Sequence, residues 1–143
     1  MKIDLARFLP YQLTHLATQV SNDFACVYNT EFGLSVPQWR ILANLAQYGQ
    51  STAKQLCSQA DMDKSTVSRA VRALSEKGYI RCKVNDDDKR ATLLVLSKNG
   101  EALYEKITPQ ALQWEQALLS CLSNDEQHQL IAIFEKLKNK LQA

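Results

Sequence analysis

The chain has 143 residues, of which 45% are hydrophobic and 22% are charged, so its length and composition are those of one ordinary globular domain. These values exclude disordered, collagen-like and disulfide-scaffold proteins. The longest stretch without a charge, between Arg7 and Asp23, contains Pro10 and His15 and is too polar for a membrane span. Because Asp4 also lies where a signal peptide has its apolar core, we expect a cytoplasmic protein with no membrane partner.

Positive charge is concentrated in the middle of the chain. Residues 37–98 contain eleven basic and six acidic side chains, whereas the flanks contain six basic and nine acidic ones. A basic centre between acidic ends is typical of a module that binds a polyanion. Chance clustering on a solvated surface is the alternative interpretation.

The four cysteines do not have the pattern of a chemical site. Cys26, Cys57, Cys82 and Cys121 form neither a CxxC pair nor a cluster with histidine, so no zinc site or redox dithiol is predicted. We predict that they are small buried hydrophobic residues in a reducing compartment. No cofactor is expected, and no enzyme either, because the sequence shows no nucleophile–base pair and no phosphate-binding glycine loop.

A long helix is predicted first, before Gly33. Its apolar stripe consists of Leu5, Leu9, Leu13, Leu16, Val20, Phe24 and Val27. Pro10 is interpreted as a local disturbance near the start of this helix.

Three shorter helices are predicted next, each opened by a capping residue. The caps are Ser35 with Gln38, Thr52 with Gln55, and Asp63. The last two helices end near Gln59 and Lys77 and are separated only by residues 60–62, a spacing typical of a helix-turn-helix. Plain packed helices also have such short connections, so the spacing alone leaves both interpretations open.

A β-hairpin is predicted after Gly78, where the hydrophobic period changes from that of a helix to that of a strand. Ile80, Cys82 and Val84 alternate with basic residues and are expected to place one face on the core. Residues 85–88 mark a turn, and residues 91–96 form the returning strand. A helix-turn-helix followed by a hairpin is a winged helix.

Two helices complete the predicted fold. Ser97 caps a long helix whose buried stripe is Leu103, Ile107, Ala111, Trp114 and Leu118, and Pro109 is expected to kink or split it. Ser123 and Glu126 form the capping box of a last amphipathic helix. The predicted fold class is therefore mainly α with a small β-hairpin wing (α+β).

The helix that begins at Asp63 has two chemically different faces. At about 100° per residue, one side carries Ser65, Ser68, Arg69, Arg72 and Glu76. The other side carries Val67, Ala70, Val71 and Leu74. Hydroxyl and guanidinium groups suit base edges in a major groove, and the amides at the helix start suit a phosphate. An ordinary solvated helix face is the alternative.

The predicted wing tip contains three adjacent aspartates, residues 86–88. They lack the alternating oxygens and the glycine of a calcium loop, so no metal site is predicted. An alternative role for these aspartates is a carboxylate–guanidinium pair that holds Arg90 in a fixed pose. Arginine is the side chain best suited to a narrow, strongly negative minor groove.

Several of these segments together resemble the MarR (multiple antibiotic resistance regulator) family. The segments are Pro37–Trp39, Asp63–Arg69, Glu76–Ile80, and the wing signature Asp-x-Arg-Ala at Asp88, Arg90 and Ala91, followed by Leu93 to Gly100. The resemblance implies a winged helix-turn-helix homodimer that regulates transcription, often as a repressor. It further implies a double-stranded, pseudo-palindromic DNA operator, with recognition helices in successive major grooves and wing arginines in the flanking minor grooves.

The resemblance also implies roles for individual residues. The implied DNA contacts are Thr52 to phosphate; Ser65, Thr66, Ser68 and Arg69 to bases or nearby phosphates; Arg72 to the backbone; and Arg90 to the minor groove, with Asp88 steadying the wing. The additional acidic residues Asp86 and Asp87 depart from the more basic wings of many relatives.

The terminal helices are implied to form the dimer interface. Independently, they carry more apolar residues than one small winged helix can cover. The candidates are Leu5, Phe8, Leu130, Ile133, Phe134, Leu137 and Leu141. We divide the chain into an N-terminal dimerisation helix (1–34), a winged helix-turn-helix lobe (35–97) and C-terminal dimerisation helices (98–143). Packing within a single chain is the alternative.

A small aromatic, phenolic or anionic effector is also implied by the resemblance. Its pocket is expected to be bordered by Leu16 and Val20 of the first helix, by Trp39, and by the start of the fifth helix. Thiol sensing is an alternative, although Cys26 lies later than the reactive cysteine of peroxide-sensing relatives and has no basic neighbour. A protein–protein interaction module is a second alternative, which the basic helix face disfavours.

Overall fold

The computed structural model describes residues 1–143 as a helical protein with one two-stranded antiparallel sheet. Its elements are a 3-10 turn (Leu5–Arg7), α1 (Leu9–Tyr28), α2 (Val36–Tyr48), α3 (Ala53–Ala60), α4 (Lys64–Glu76), β1 (Ile80–Val84), β2 (Thr92–Leu96), α5 (Lys98–Leu119) and α6 (Asn124–Gln142). The predicted fold class, mainly α with a β-hairpin wing, is confirmed. None of the helices has the length and apolar character that a membrane crossing requires.

The predicted helix starts are confirmed at the level of hydrogen bonds. The side chains of Ser35, Thr52 and Ser123 each accept a backbone N–H three residues later, and the glutamine or glutamate at that position returns the bond. Asp63 and Ser97 cap α4 and α5 in the same way, without the return bond. Local sequence therefore fixes where these five helices begin.

The first helix begins later than the apolar stripe suggested. Residues 5–7 form a 3-10 turn capped by Asp4, and α1 starts at Leu9. Pro10 consequently lies in the first turn of α1, where a backbone N–H has no partner within the helix in any case. Pro10 therefore lies near the helix start, as predicted, where the chain changes from the 3-10 turn to α1.

The hydrophobic core lies in the middle of the chain. Only 16 of 143 residues are buried, and all of them fall between Tyr28 and Ile107. Helices α2, α3 and α4 supply most of the core, and Leu103 and Ile107 add one face of α5. The three helices and the hairpin beside them form the winged helix.

The wing departs from the predicted burial pattern. Strands β1 and β2 pair from Ile80↔Leu96 to Val84↔Thr92, so the hairpin itself is as expected. Of the predicted inward face of β1, however, only Ile80 is buried, whereas Cys82 and Val84 are exposed. The strand pair extends past the helices, so its outer half has no core to face.

The prediction of four buried cysteines is also wrong. Cys26, Cys82 and Cys121 are exposed, and Cys57 is half-buried. Cys82 lies on the projecting wing, and Cys121 follows the end of α5 outside the core. Cys26 lies on the outer face of α1, between Ala25 and Val27, which pack against the core. The general preference of cysteine for burial does not specify which face of an element it occupies.

Helix α5 is continuous through Pro109 and is not split. Its predicted stripe is buried at Leu103 and Ile107, half-buried at Ala111 and Trp114, and 43% exposed at Leu118. Burial therefore decreases from the start of α5 to its end. The second half of the helix lies beside α1, and apolar side chains on one side of it are exposed to solvent.

The start of α5 is fixed against the base of the wing. The Ser97 hydroxyl donates to the Gly78 carbonyl at 2.6 Å, and the Ser97 N–H donates to the Tyr79 carbonyl at 3.0 Å. A Cβ atom at Gly100 would collide with the Tyr79 backbone oxygen. Glycine at position 100 is therefore required for this close approach.

Candidate nucleic-acid interface

The N-terminus of α4 is organised by Asp63. Its carboxylate accepts the backbone N–H of Thr66 at 2.7 Å. This hydrogen bond lowers the pKa of the Asp63 carboxyl below its usual value, so the cap is ionised at neutral pH. A negatively charged cap at the positive end of the helix dipole stabilises the first turn of α4.

The two predicted faces of α4 are present in the structure. Val67, Ala70 and Leu74 are buried against the lobe, and Val71 is half-buried. The outer face is exposed and consists of Ser65, Ser68, Arg69, Arg72 and Glu76. No apolar side chain interrupts this outer face, which presents hydroxyl and guanidinium groups to solvent.

The two arginines of this face are in different electrostatic situations. Arg69 Nη1 donates to the Ser65 hydroxyl at 3.0 Å, and its guanidinium has no carboxylate partner. Arg72 Nε lies 3.2 Å from Glu76 Oε1 in an exposed ion pair. Arg69 therefore offers an uncompensated charge and unused donors, whereas part of the charge of Arg72 is neutralised by its neighbour.

The predicted ion pair in the wing does not form. Asp88 Oδ1 instead accepts the backbone N–H of Arg90 at 3.0 Å, and the Arg90 guanidinium is exposed without a carboxylate partner. The short side chain of an aspartate commonly accepts the backbone N–H two residues later, and this local bond forms here in place of a pair with the long Arg90 side chain. Asn85 accepts the N–H groups of Asp87 and Asp88, so both side chains shape the turn.

A cleft of about 620 Å³ lies between α3, α4 and the wing. It brings three of the predicted residues together, namely Thr52, Ser68 and Asp88. Thr66 lies apart from it, in a smaller cleft with Arg69 and Pro37.

Two lysines of the large cleft were missed by the sequence reasoning. Lys54 and Lys64 lie in the first turns of α3 and α4, and both line the cleft. A basic residue in a first turn opposes the helix dipole. That unfavourable placement is the signal that could have indicated an anionic partner at these positions.

Within one chain, the residues predicted for the effector pocket do not line a common cavity. Leu16 is 56% exposed, and none of the main cavities is lined by more than one of Leu16, Val20 and Trp39. Trp39 is instead enclosed by other rings, stacking on Tyr28 at 5.4 Å and on Tyr104 at 6.0 Å between ring centroids. Aromatic side chains therefore fill the space beside Trp39 in the single chain.

This aromatic cluster joins three helices. Phe24 of α1 meets Trp39 edge-on at 5.5 Å and Trp114 of α5 at 4.9 Å. The Trp114 indole N–H donates to Asp23 of α1 at 2.8 Å. Burial raises the pKa of the Tyr28 hydroxyl, and the charge of Arg40 partly offsets this. The cluster connects the winged-helix lobe to the long helices outside it.

The predicted dimer residues lie on the surface of the single chain. Leu5, Phe8, Ile133, Phe134, Leu137 and Leu141 are between 36% and 85% exposed, and Leu130 is half-buried. Helix α6 buries no residue at all. A helix with an apolar stripe and no buried residue lacks a packing partner within its own chain.

Comparison with known proteins agrees with this architecture. The pattern that defines the MarR family matches residues 32–91. YwoH of Bacillus subtilis, an uncharacterised HTH-type transcriptional regulator, is 32% identical over 103 residues, which cover 72% of this chain and 74% of YwoH.

Solved structures extend the likeness to almost the whole chain. A MarR/EmrR family transcriptional regulator from Acinetobacter sp. ADP1 has a TM-score of 0.85 and 30% identity, covering 98% of this chain and 99% of that one. BpsR of Bordetella bronchiseptica, whose DNA binding is regulated by 6-hydroxynicotinic acid, has a TM-score of 0.82 over 96% of this chain and 98% of its own. At 19% identity, BpsR shows the shared fold alone. The fold, the relatives and the family pattern agree that this chain belongs to the MarR family of transcriptional regulators.

Proposed function

We propose that the protein is a homodimeric repressor that binds a pseudo-palindromic DNA operator and is released by a small aromatic effector. The observation that carries this proposal is the outer face of α4, which is exposed along its length and free of apolar residues. Arg69 on this face can form two parallel hydrogen bonds with a guanine edge, and Ser65 and Ser68 can bond to either donors or acceptors. A face used for protein docking would instead be expected to carry aromatic or aliphatic anchors.

The remaining contacts divide between grooves and backbone. Arg90 at the wing tip enters the minor groove, while Asp88 holds the turn that carries it. Thr52, Thr66 and Arg72 contact phosphates and fix the register of α4 on the duplex. The large cleft between α3, α4 and the wing supports this division, because Lys54 and Lys64 line it together with Thr52.

The dimer is proposed to form through residues 1–34 and 98–143, with residues 35–97 as the DNA-binding lobe of each copy. Support comes from the exposed apolar stripe of α6, which has no partner in one chain. A two-fold axis between the copies places two α4 helices one helical turn of DNA apart, about 34–36 Å. The symmetry of the operator then follows from the symmetry of the protein.

The effector is proposed to act by shifting the population of dimers between two spacings of the α4 helices. The aromatic cluster of α1, α2 and α5 supports such coupling, because it links the lobe to the terminal helices that set the spacing. BpsR, which shares the fold, is regulated by an aromatic acid.

Selection of bound sequences from a random duplex library tests the proposal. The wild-type protein is expected to enrich two inverted half-sites whose centres are about 10 base pairs apart. The double variant Ser65→Ala/Arg69→Ala should lose the enrichment, whereas Lys136→Ala, which removes an exposed basic residue of α6, should retain it. Enrichment of a single unpaired half-site, or of no motif at low salt, would contradict the proposal.

A further inference from the structure

A second cleft, of about 400 Å³, lies on the lobe between the C-terminal end of α2, strand β2 and the first half of α5. Leu45, Val95 and Leu96 supply apolar lining, and Tyr104 supplies an aromatic ring. The volume falls within the range of small-molecule sites in proteins. None of the residues proposed to contact DNA, and none of the apolar residues named for the dimer interface, lines this cleft.

The charged side chains that line the cleft are all negative. Glu101 and Glu105 are one helical turn apart on α5, flank Tyr104, and form no ion pair. No lysine, arginine or histidine lines the cleft. An anionic ligand would therefore meet two uncompensated carboxylates and no positive group, whereas an organic cation would meet two charge partners.

The ring of Tyr104 also favours a cationic ligand. An aromatic ring attracts a cation positioned over its face, and this contribution is independent of the carboxylates. Tyr104 also stacks toward Trp39 at 6.0 Å, which connects the lining of the cleft to the aromatic cluster described above. A ligand in this cleft therefore contacts the element that joins the lobe to the long helices.

We infer that this cleft is the effector site and that its ligand is a small aromatic cation, such as a protonated aryl-alkyl amine, rather than an aromatic acid. The regulatory part of this inference rests on the proposed function, because release of DNA presupposes binding of DNA. The binding part does not, since a ligand can be titrated into the free protein.

Three probes of matched size separate the charge preference from simple hydrophobic binding. They are 2-phenylethylammonium, the neutral 2-phenylethanol and the anionic phenylacetate, each titrated into the free wild-type protein by calorimetry. The expected order of affinity is cation, then alcohol, then anion. Equal or tighter binding of phenylacetate, or no binding of any probe, would overturn the inference.

The double variant Glu101→Gln/Glu105→Gln assigns the preference to this cleft. It should bind 2-phenylethylammonium about 2- to 30-fold more weakly, corresponding to two exposed charge pairs, and 2-phenylethanol with unchanged affinity. Glu115→Gln, which neutralises an exposed glutamate of α5 outside the cleft, is the matched control and should behave like the wild type. Unchanged cation binding in the double variant would place the site elsewhere and refute the assignment.

A DNA-release measurement then distinguishes the two failures. On the selected operator, 2-phenylethylammonium should weaken DNA binding of the wild type but not of the double variant. Cation binding without an effect on DNA refutes the regulatory role of the cleft, whereas absence of any operator refutes the proposed function and leaves the titration result standing.

Discussion

The winged-helix lobe and the terminal helices have equally regular secondary structure but very different burial. Eleven of the 16 buried residues lie in the lobe (35–97), the other five lie in the adjoining parts of the terminal segments, and α6 contributes none. Both regions are capped and amphipathic, so local sequence accounts for their helices equally well. The lobe therefore completes its hydrophobic core within one chain. The terminal helices, and α6 above all, have regular helical structure although most of their apolar side chains remain uncovered.

Helical structure without burial has a direct energetic consequence. Most helix stability in proteins comes from packing of an apolar face rather than from the propensity of the helix itself. The exposed stripe of α6 therefore has to be covered by another surface. In the proposed dimer, a second copy of the chain supplies a matching surface by symmetry.

The largest expected effect comes from placing a charge on this stripe. Phe134→Glu should convert the proposed dimer to a monomer at micromolar concentration. We expect the dimer dissociation constant to rise about 30-fold, because the loss of a central hot-spot residue costs about 2 kcal/mol. Sedimentation equilibrium measures the change. Ala132→Glu is the matched control, since Ala132 is also exposed on α6 but lies about 160° away from Phe134 around the helix. A monomeric wild type, or equal effects of the two variants, would remove the contrast between the regions.

The next effect belongs to the lobe. Gly100→Ala should lower the free energy of unfolding by about 1–3 kcal/mol, because its Cβ would collide with the Tyr79 backbone oxygen and separate α5 from the wing. Urea unfolding measures this value. Lys98→Ala, in the same first turn but exposed, should change stability little. A fully stable Gly100→Ala protein would mean that α5 can shift without cost.

The contrast between the regions also explains which features could be predicted from the sequence. Helix caps such as Ser35 and Thr52, and the two faces of α4, depend on residues close together in the chain, and they were predicted correctly. Burial of Cys82 and Val84 depends on whether another element reaches the outer wing, and it was predicted wrongly. The periodicity of a strand indicates its two faces but not what covers them.

The site shows the same division between local and long-range information. Arg69 and Ser65 are one helical turn apart, so their common exposed face follows from spacing alone. The hydrogen bond from the Arg90 backbone to Asp88 is also local, but a competing ion pair was equally compatible with the sequence. The filling of the space beside Trp39 required knowledge of where Tyr104 and Phe24 meet it, which is tertiary information.

Within the lobe, the two arginines of α4 sharpen the comparison further. Arg69→Ala should cost about 1–3 kcal/mol on the selected operator and relax its preference at one position of each half-site, as expected for a base contact. Arg72→Ala should weaken binding to all duplexes by a similar, smaller factor, because Arg72 is partly neutralised by Glu76. Fluorescence anisotropy on operator and scrambled duplexes separates the two. Equal losses on both duplexes for Arg69→Ala would exclude base readout.

Arg90 is expected to contribute mainly through charge. Its replacement by alanine should reduce the slope of log K against log salt by about 0.9 for each phosphate charge that it neutralises. Titrations between low and physiological salt give this slope, and Lys136→Ala is the control. An unchanged slope would place the wing tip outside the interface.

The smallest effect concerns the cap of α4 and its dependence on pH. The pKa of Asp63 is lowered in the folded protein, so the charged cap contributes stability that is fully present above the unfolded-state pKa, near pH 4, and is lost as the pH falls through the lower folded-state value. Asp63→Asn retains a side chain that can cap the helix but cannot titrate. The wild type should therefore have the higher melting temperature at pH 7, and the difference should shrink as the pH is lowered below 4. A difference that stays constant from pH 7 to pH 3 would mean that the helix start is stabilised by the hydrogen bond alone and not by the charge.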